Sequence, residues 1–467
     1  MTIQVDERQL DEIVRRILVT MNDRRLPQGE GPKGIFSTVD EAFTAVEWSQ
    51  RRFNGISIAK RKAFIAAMRE TILANSQQLA QMAVEETRLG RVADKVIKTV
   101  LAAEKTPGVE DLPVKAYMGD AGLTLEEPAP FGTILAILPV TNPTSTVINN
   151  AISMIAAGNT VFFAPHPSGK RTSFATISLM NEAIEKAGGP PHLMVAVDGG
   201  GKEMVRELMT HPKIALITAT GGKEIVHLAM SSGKRAIGAA AGNPPILVDE
   251  TANPEKAAAD IVSGASFDNN MPCTCEKECI VVDWMADALL RCIPANNAII
   301  LPPENLPRLE SLLLQGEDRH PNKEYVGKNA NVILRQLGIT ADDSLRLVVV
   351  ETPADHPFVT HEMMMPVLPV VRAANFEEAM DIAVEVEGGL HHSAGIHSDN
   401  IHHMSDYGRA INTTIFVKNA PHYAGIGYGA EGPTSFTIAG ASGEGLTTAR
   451  VFTRRRRCTL VGAFSLV

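Results

Sequence analysis

From Phe131 onward the chain alternates short apolar runs with amphipathic segments, and this alternation restricts the possible folds more than any other feature. The runs are GTILAILPV (132–140), NTVFFAPHP (159–167), LMVAVDGG (193–200), IALITATGG (214–222) and PPILVDE (244–250). They are too uniformly apolar for strands with one wet face and read as strands buried on both sides, as parallel sheets require. Between them, residues 148–157, 172–187, 202–210 and 223–231 carry the period of crossover helices. A βαβ succession of this kind predicts an α/β fold with a parallel sheet, whose ligands bind at the carboxyl ends of the strands. Upstream, the pattern from Ser37 to about Glu104 is helical, with Ser37 or Thr38 as the cap.

Three strand exits follow from this reading. Asn142, in VTNPTS, can present its side-chain amide into the crevice beyond the first run. APHPSGK follows the second. Thr220-Gly221-Gly222 offers a helix start without side-chain bulk, where backbone amides can approach a pyrophosphate. A glycine pair at a strand end is also a common turn, and the motif is not G-x-G-x-x-G. The glycine-rich GIGYGAEG at 425–432 opens no evident helix and reads as a loop.

Beyond Asp249 a second α/β region begins, with strands expected at 279–282, 345–351, 367–371 and 414–417. It contains Cys273, placed after a polar Asp268-Asn269-Asn270 turn and before a charged Glu276-Lys277-Glu278 run. A nucleophilic thiol needs nearby dipoles or cations and partial access to solvent, and a loop feeding a strand can supply both. The competing reading makes Cys273 a small apolar filler with Cys275 and Cys279. The four cysteines at 273, 275, 279 and 292 lack the paired spacing of a zinc cage, so no metal site is expected. His391, His392, His397, His402 and His403 are expected to cap, face solvent or line a loop.

Composition narrows the function. A 467-residue chain that is 45% hydrophobic and 21% charged can form a large core divided into two or three units. The formal net charge of -9 gives no broad cationic surface for nucleic acid. Arg454–Arg457 remain a local block, read as solvated arginines beside an edge strand at 459–461 or, alternatively, as a phosphate clamp. Five cysteines, three of them within seven residues, do not form a disulfide framework and predict a reducing, cytoplasmic setting. No apolar run reaches the roughly 18 residues of a membrane span. Near the N-terminus, Leu10, Ile13, Val14, Ile17, Leu18 and Met21 form one apolar helical stripe, and residues 22–34 are a Pro/Gly linker. That helix either docks onto a partner or packs on its own domain.

Several pieces in this order resemble the aldehyde dehydrogenase superfamily, in particular its CoA-acylating, microcompartment-associated branch. They are LPVTNPTS (138–145), FFAPHPSGK (162–170), TATGG (218–222), GAAAGNPP (238–245), SFDNNMPC (266–273), HEMMMPVLPV (361–370) and GEGLTTARVFTRRRRC (443–458). The resemblance implies a Rossmann-type dinucleotide-binding domain at 35–116 and 131–245, and an α/β catalytic domain at 246–445. It also implies a strand segment for oligomerisation at 117–130 and 446–467. Cys273 is then the nucleophile, and Asn142 joins the Cys273 amide in holding the oxyanion. Glu362 holds the nicotinamide ribose, while Pro165, His166, Thr220, Gly221 and Gly222 form the dinucleotide face. Where hydrolytic relatives carry a glutamate base, the alignment places Ala239, so the acyl group is expected to leave on the CoA thiol. The implied reaction takes a short-chain aldehyde (propionaldehyde or acetaldehyde), NAD and CoA to acyl-CoA. Residues 1–21 become an encapsulation peptide for a microcompartment shell, and the oligomer a homodimer or homotetramer. The alternatives are a hydrolytic dehydrogenase releasing free acid, and a non-catalytic shell-associated or zinc-binding protein.

Overall fold

The structure, a computed structural model, describes residues 32–464. The amphipathic segment at 1–21 and all but the last three residues of the linker lie outside that range. The described chain opens with β1 (Ile35–Phe36) and α1 (Val39–Phe53). Thr38 starts α1 through a capping box, its hydroxyl accepting from the Glu41 amide at 3.3 Å while the Glu41 carboxylate accepts from the Thr38 amide at 3.2 Å. Two donors that a helix start leaves open are thereby satisfied. The helices α2 (Ile58–Thr87) and α3 (Val92–Lys105) follow, as expected from the helical pattern.

A hairpin, β2 (Lys115–Gly119) and β3 (Gly122–Pro130), leads into β4 (Thr133–Ile137). The predicted alternation then appears as α4 (Ser145–Ala156), β5 (Thr160–Ala164), α5 (Lys170–Lys186) and β6 (Met194–Val197). It continues with α6 (Gly201–Thr210), β7 (Leu216–Thr220), α7 (Lys223–Met230) and β8 (Ala236–Ala239). These strands form a parallel sheet in the order β1-β6-β5-β4-β7-β8. Ile134, Ala136 and Phe163 face one core, Leu135, Ile137 and Phe162 another, so both sheet faces are covered. The chain moves outward from β4 through β5 and β6, then returns to β4's other side as β7. The order therefore reverses between β4 and β7, the place where open α/β sheets take ligands. Asn142 lies in the turn after β4, and Thr220 ends β7 with Gly221-Gly222 in the turn after it.

The second sheet contains β9 (Pro245–Val248), β10 (Glu278–Val282), β11 (Ala298–Ile300), β12 (Leu347–Glu351), β13 (Val367–Ala373), β14 (Ser393–His397) and β15 (Ile415–Lys418). All its pairings are parallel, in the order β11-β12-β13-β10-β9-β14-β15. Between β9 and β10 lies α8 (Pro254–Ser266). The run PPILV thus belongs to this sheet and not to the first succession, because residues 240–244 cross between sheets with no intervening helix. The strand β8, Ala-Ile-Gly-Ala, closes the first sheet in its place; small residues carry little strand signal, so periodicity passes over it. A Cβ at Gly238 would come within 2.7 Å of the Val226 side chain, so glycine lets α7 lie close on β8.

A third, antiparallel sheet pairs β3 with β2 and with β16 (Thr453–Val461). Arg456 stands opposite Glu127 and Arg457 opposite Glu126 across the ladder, so the basic block is solvated on an edge strand. Residues 426–452 return to the first unit, where Ile426, Phe436, Ile438, Ala439, Ala449 and Phe452 share a core with β4. GIGYGAEG is a loop.

Candidate active site

Cys273 lies between α8 and β10, on a loop fixed by three consecutive left-handed residues. Asp268, Asn269 and Asn270 have φ of 48°, 55° and 64°, a region that most side chains avoid at a cost of about 1–2 kcal/mol per residue and that Asn and Asp tolerate best. Their own side chains hold the loop. Asn270 Nδ2 donates to the Ala265 and Glu276 carbonyls, both at 2.8 Å. Asn269 Nδ2 donates to the Gly327 carbonyl at 2.9 Å and to Asn329 Oδ1 at 2.6 Å. Asp268 accepts from the Arg91 amide at 2.8 Å, from Lys95 Nζ at 2.9 Å and from Lys98 Nζ.

The charged run after the cysteine is buried throughout. Lys277 Nζ turns back under the loop and donates to Asn270 Oδ1 at 2.7 Å, the Asn270 carbonyl at 2.8 Å and the Pro272 carbonyl at 3.3 Å. Cys273 is recessed but keeps part of its surface open. Cations do approach it, yet they do not make it acidic. Desolvation pushes the thiol up to about 12, and the Glu362 charge adds to the rise. Lys277, a backbone hydrogen bond and Lys98 pull the other way. The resting sulfur is therefore a thiol at neutral pH.

Glu362 precedes β13, with Oε1 3.9 Å from Lys277 Nζ. Burial raises its carboxyl above the usual range, opposed by Lys277, the Gly242 amide and Lys223. Gly242 also sets the packing behind the cysteine: a Cβ there would come within 2.7 Å of the His392 ring and 3.1 Å of the Cys273 carbonyl. His392 is buried, its Nδ1 2.8 Å from the Ser393 hydroxyl and its Nε2 without a hydrogen-bond partner among the described residues. Desolvation, with Lys277 next, lowers its pKa to about 4, so the ring is neutral. His397 is buried as well, contrary to the expectation that these histidines cap, face solvent or line loops. His392 was lost to sequence reading among four neighbouring histidines. Its inward direction depends on the entry to β14.

Across the interface, Asn142 follows β4 with its Oδ1 accepting from Lys98 Nζ at 2.6 Å and its Nδ2 donating to Thr141 Oγ1 at 3.1 Å. Lys98 also reaches Asp268, so one buried ammonium joins the Asn142 turn to the Cys273 loop. Sequence reading missed Lys95 and Lys98. The signal was present in α3, VADKVIKTVLAAEK, where lysines three apart fall on the helix's buried face.

Pro165 and His166 leave β5 half-buried and exposed, and His166 Nδ1 accepts from the Ser168 amide at 3.2 Å. Burial, and then Lys202, lower the His166 pKa. At the β7 exit, Thr220 Oγ1 lies 2.9 Å from Thr437 Oγ1, and Gly222 caps α7 with no side-chain cap. First-turn amides of α7 are therefore left without intrahelical or side-chain acceptors, and a Cβ at Gly222 would meet nothing within 4 Å. This exit fits a dinucleotide's pyrophosphate. The cysteines form no ligand cluster; among the described residues, atoms close enough to share a metal ion are those of Asp249, Glu250 and His403. No described helix is long and apolar enough to cross a membrane.

Two parallel α/β units, with a recessed cysteine on the second and an amide-bearing turn at the switch point of the first, give the architecture of a dinucleotide-linked enzyme. Residues 24–297 match the aldehyde dehydrogenase family. Over 99% of its length the chain is 46% identical to the acetaldehyde dehydrogenase (acetylating) EutE of Salmonella typhimurium, of which it covers 100%. Among solved structures, the propionaldehyde dehydrogenase of Rhodopseudomonas palustris with bound CoA and an acylated cysteine superposes with a TM-score of 0.90 at 46% identity, over 92% of this chain and 98% of that one. The propionaldehyde dehydrogenase of the Clostridium phytofermentans fucose utilisation bacterial microcompartment gives a TM-score of 0.91 at 43% identity, over 93% and 100%. This chain belongs to the aldehyde dehydrogenase family.

Proposed function

We propose that this enzyme oxidises a short-chain aldehyde, propionaldehyde or acetaldehyde, to the corresponding acyl-CoA through a thioester on Cys273. The observation that carries the reading is the buried Lys98 bridge, which makes the Asn142 donor and the Cys273 loop one rigid unit. The sulfur bonds to the carbonyl carbon as the thiol proton moves to the oxygen. Asn142 Nδ2 and the Cys273 amide stabilise negative charge on that oxygen as it develops, at about 3 kcal/mol for a well-placed donor. NAD, when bound, supplies the hydride acceptor. Thr220, Gly221 and Gly222 would hold its pyrophosphate, Pro165 and His166 would line the adenosine side, and Glu362 would take the nicotinamide ribose.

Loss of hydride from the former carbonyl carbon, and of a proton from its oxygen, leaves an acyl thioester on Cys273. The CoA thiol then bonds to the acyl carbon, the carbon–sulfur bond to Cys273 breaks, and the cysteine recovers its proton. Neutral His392, which packs against Gly242 as the Cys273 carbonyl also does, is our candidate to take the CoA proton and pass it to the departing Cys273 sulfur. Ala239 ends β8, and the family resemblance aligns it with the glutamate base of hydrolytic relatives, which supports release to a thiol and not to water.

Incubation with aldehyde and NAD but no CoA should yield about one NADH per site and an acyl mass increment at residue 273. Cys273→Ala should lose both. Continued turnover without CoA would instead identify a hydrolytic enzyme.

The two parallel-sheet units support a dinucleotide-binding domain over 35–116 and 131–245 and a catalytic domain beginning at 246, but the expected end of the latter at 445 is too late, because residues from Ile426 pack in the core of the first unit. The antiparallel sheet of β2, β3 and β16 carries exposed Tyr117, Met118, Leu460 and Val461, which support the use of segments 117–130 and 446–467 in a homodimer or homotetramer. Residues 1–21, outside the described range, serve in this reading as an encapsulation peptide that takes the enzyme into a cytoplasmic microcompartment. Deleting them should leave activity intact and abolish co-purification with shells; loss of soluble protein would show that the segment belongs to the core instead.

A further inference from the structure

We propose that Lys98 is a positioning residue for aldehyde oxidation, setting which end of the Asn142 amide faces the reacting oxygen. The inference rests on the thioester reading above. A primary amide can present either its oxygen or its nitrogen, and the two choices have opposite consequences: a carbonyl oxygen would repel an oxyanion that an N–H stabilises. Lys98 removes the ambiguity. Its ammonium has three donors and no acceptor, so its 2.6 Å contact to Asn142 must fall on Oδ1. Nδ2 is thereby turned away from the lysine. One of its two hydrogens goes to Thr141 Oγ1, and the second remains for the crevice.

The lysine is itself held from two sides. It is 1% exposed, and Asp268, at 0%, binds it and Lys95 together. Lys95 reaches the Thr141 carbonyl at 3.3 Å, so it fixes the backbone of the turn while Lys98 fixes the amide. Asp268 is anchored in turn: its amide donates to Asp94 Oδ2 at 2.9 Å, and Asp94 accepts from Arg346 Nη2 at 2.6 Å. Donor orientation is therefore tied to the loop that carries the nucleophile, five residues beyond Asp268. A rotation of the amide cannot occur without breaking a buried charge-assisted hydrogen bond.

The test is a double-mutant cycle on the full-length enzyme with aldehyde, NAD and CoA. Asn142→Ala should lower kcat about 100- to 1000-fold, the range for one oxyanion donor. Lys98→Met, similar in length but without a donor, should lower kcat about 100-fold, as for a mispositioned catalytic group. KM for aldehyde should stay within about threefold, because the ground-state carbonyl gains little from the donor. The double variant should be no slower than Asn142→Ala alone, since Lys98 acts through that amide. Lys98→Gln, which keeps a donor, should recover part of the Lys98→Met loss and serves as the test if Lys98→Met does not fold. Multiplicative losses in the double variant, or a kcat within threefold of wild type for both Lys98 variants, would overturn the assignment while leaving the thioester mechanism standing. Unchanged kcat in Asn142→Ala would remove the oxyanion role, and this inference with it.

Discussion

The two flanks of the Cys273 loop handle buried polarity in opposite ways. On the side of α3, Arg91, Lys95, Lys98, Asp94, Asp268 and Arg346 are linked by ion pairs and hydrogen bonds. On the side of β14, Glu276, Glu278, His392 and His397 are equally buried, yet Glu276 Oε2, Glu278 Oε2 and both histidine Nε2 atoms have no hydrogen-bond partner among the described residues. Burial leaves an ion two options, to find a counter-ion or to lose its charge. The first flank takes the former: Lys95 and Lys98 outweigh desolvation and hold the Asp268 carboxyl below its usual range. The second takes the latter. Desolvation pushes Glu276 up to about 8 and brings His392 and His397 down to about 4. Fixed charge suits the stabilisation of a developing oxyanion, whereas neutral groups with free lone pairs suit the receipt of a proton.

That contrast can be broken most severely at Asp268. Asp268→Ala strands two buried ammonium groups and should cost about 3–5 kcal/mol, the range for removing one member of a buried pair, read as a large drop in melting temperature or as loss of soluble protein. The same carboxyl gives an acid limb. Its folded pKa is depressed, so its stabilisation is present above the ordinary carboxylate pKa and disappears as pH falls through the folded value; urea midpoints measured downward from pH 5 should show this.

A smaller effect is expected on the neutral flank. His392→Ala should leave the single-turnover NADH burst in place and slow acyl transfer to CoA by about 100-fold or more, the usual contribution of a general base. Because its ring titrates at about 4, the transfer step should be flat from about pH 5 upward on that limb. Equal loss in burst and transfer would show that His392 shapes the Cys273 loop and does not act on CoA.

Glu276 gives the contrast a sign. Its folded pKa, about 8, lies above the ordinary 4.5, so ionisation favours the unfolded chain across that interval. Stability from this residue is fully present below about pH 4.5 and is lost as pH rises toward 8. Glu276→Gln should flatten that slope, leaving the variant relatively more stable at pH 8 than at pH 5. The smallest effect belongs to the surface: Arg456→Ala, which removes a 3.5 Å pair with Glu127 on the antiparallel sheet, should change unfolding free energy by less than about 1 kcal/mol.

Much of this was legible in the residues. Short, uniformly apolar runs located the strands from β4 to β7, since both faces of these strands are buried, and period-3.6 patterns located their crossover helices, since that period records which side of a helix meets the core. Asn142, at a strand exit, and Cys273, on a loop before a strand, followed from the same reading. Family resemblance added Glu362 and the Pro165-His166 face. The fold alone decided the rest. PPILV joined the second sheet because the link before it crosses between layers, which no periodicity records. The run Glu276-Lys277-Glu278 looks solvated in one dimension and is buried in three, because its partners come from Asn270, Glu362 and His422. Lys95 and Lys98 are ordinary helix lysines until Asp268, from a distant part of the chain, is folded against them. Local period fixes which way a residue points along its own element; whether a charge there is matched or neutralised depends on what distant segments bring to it.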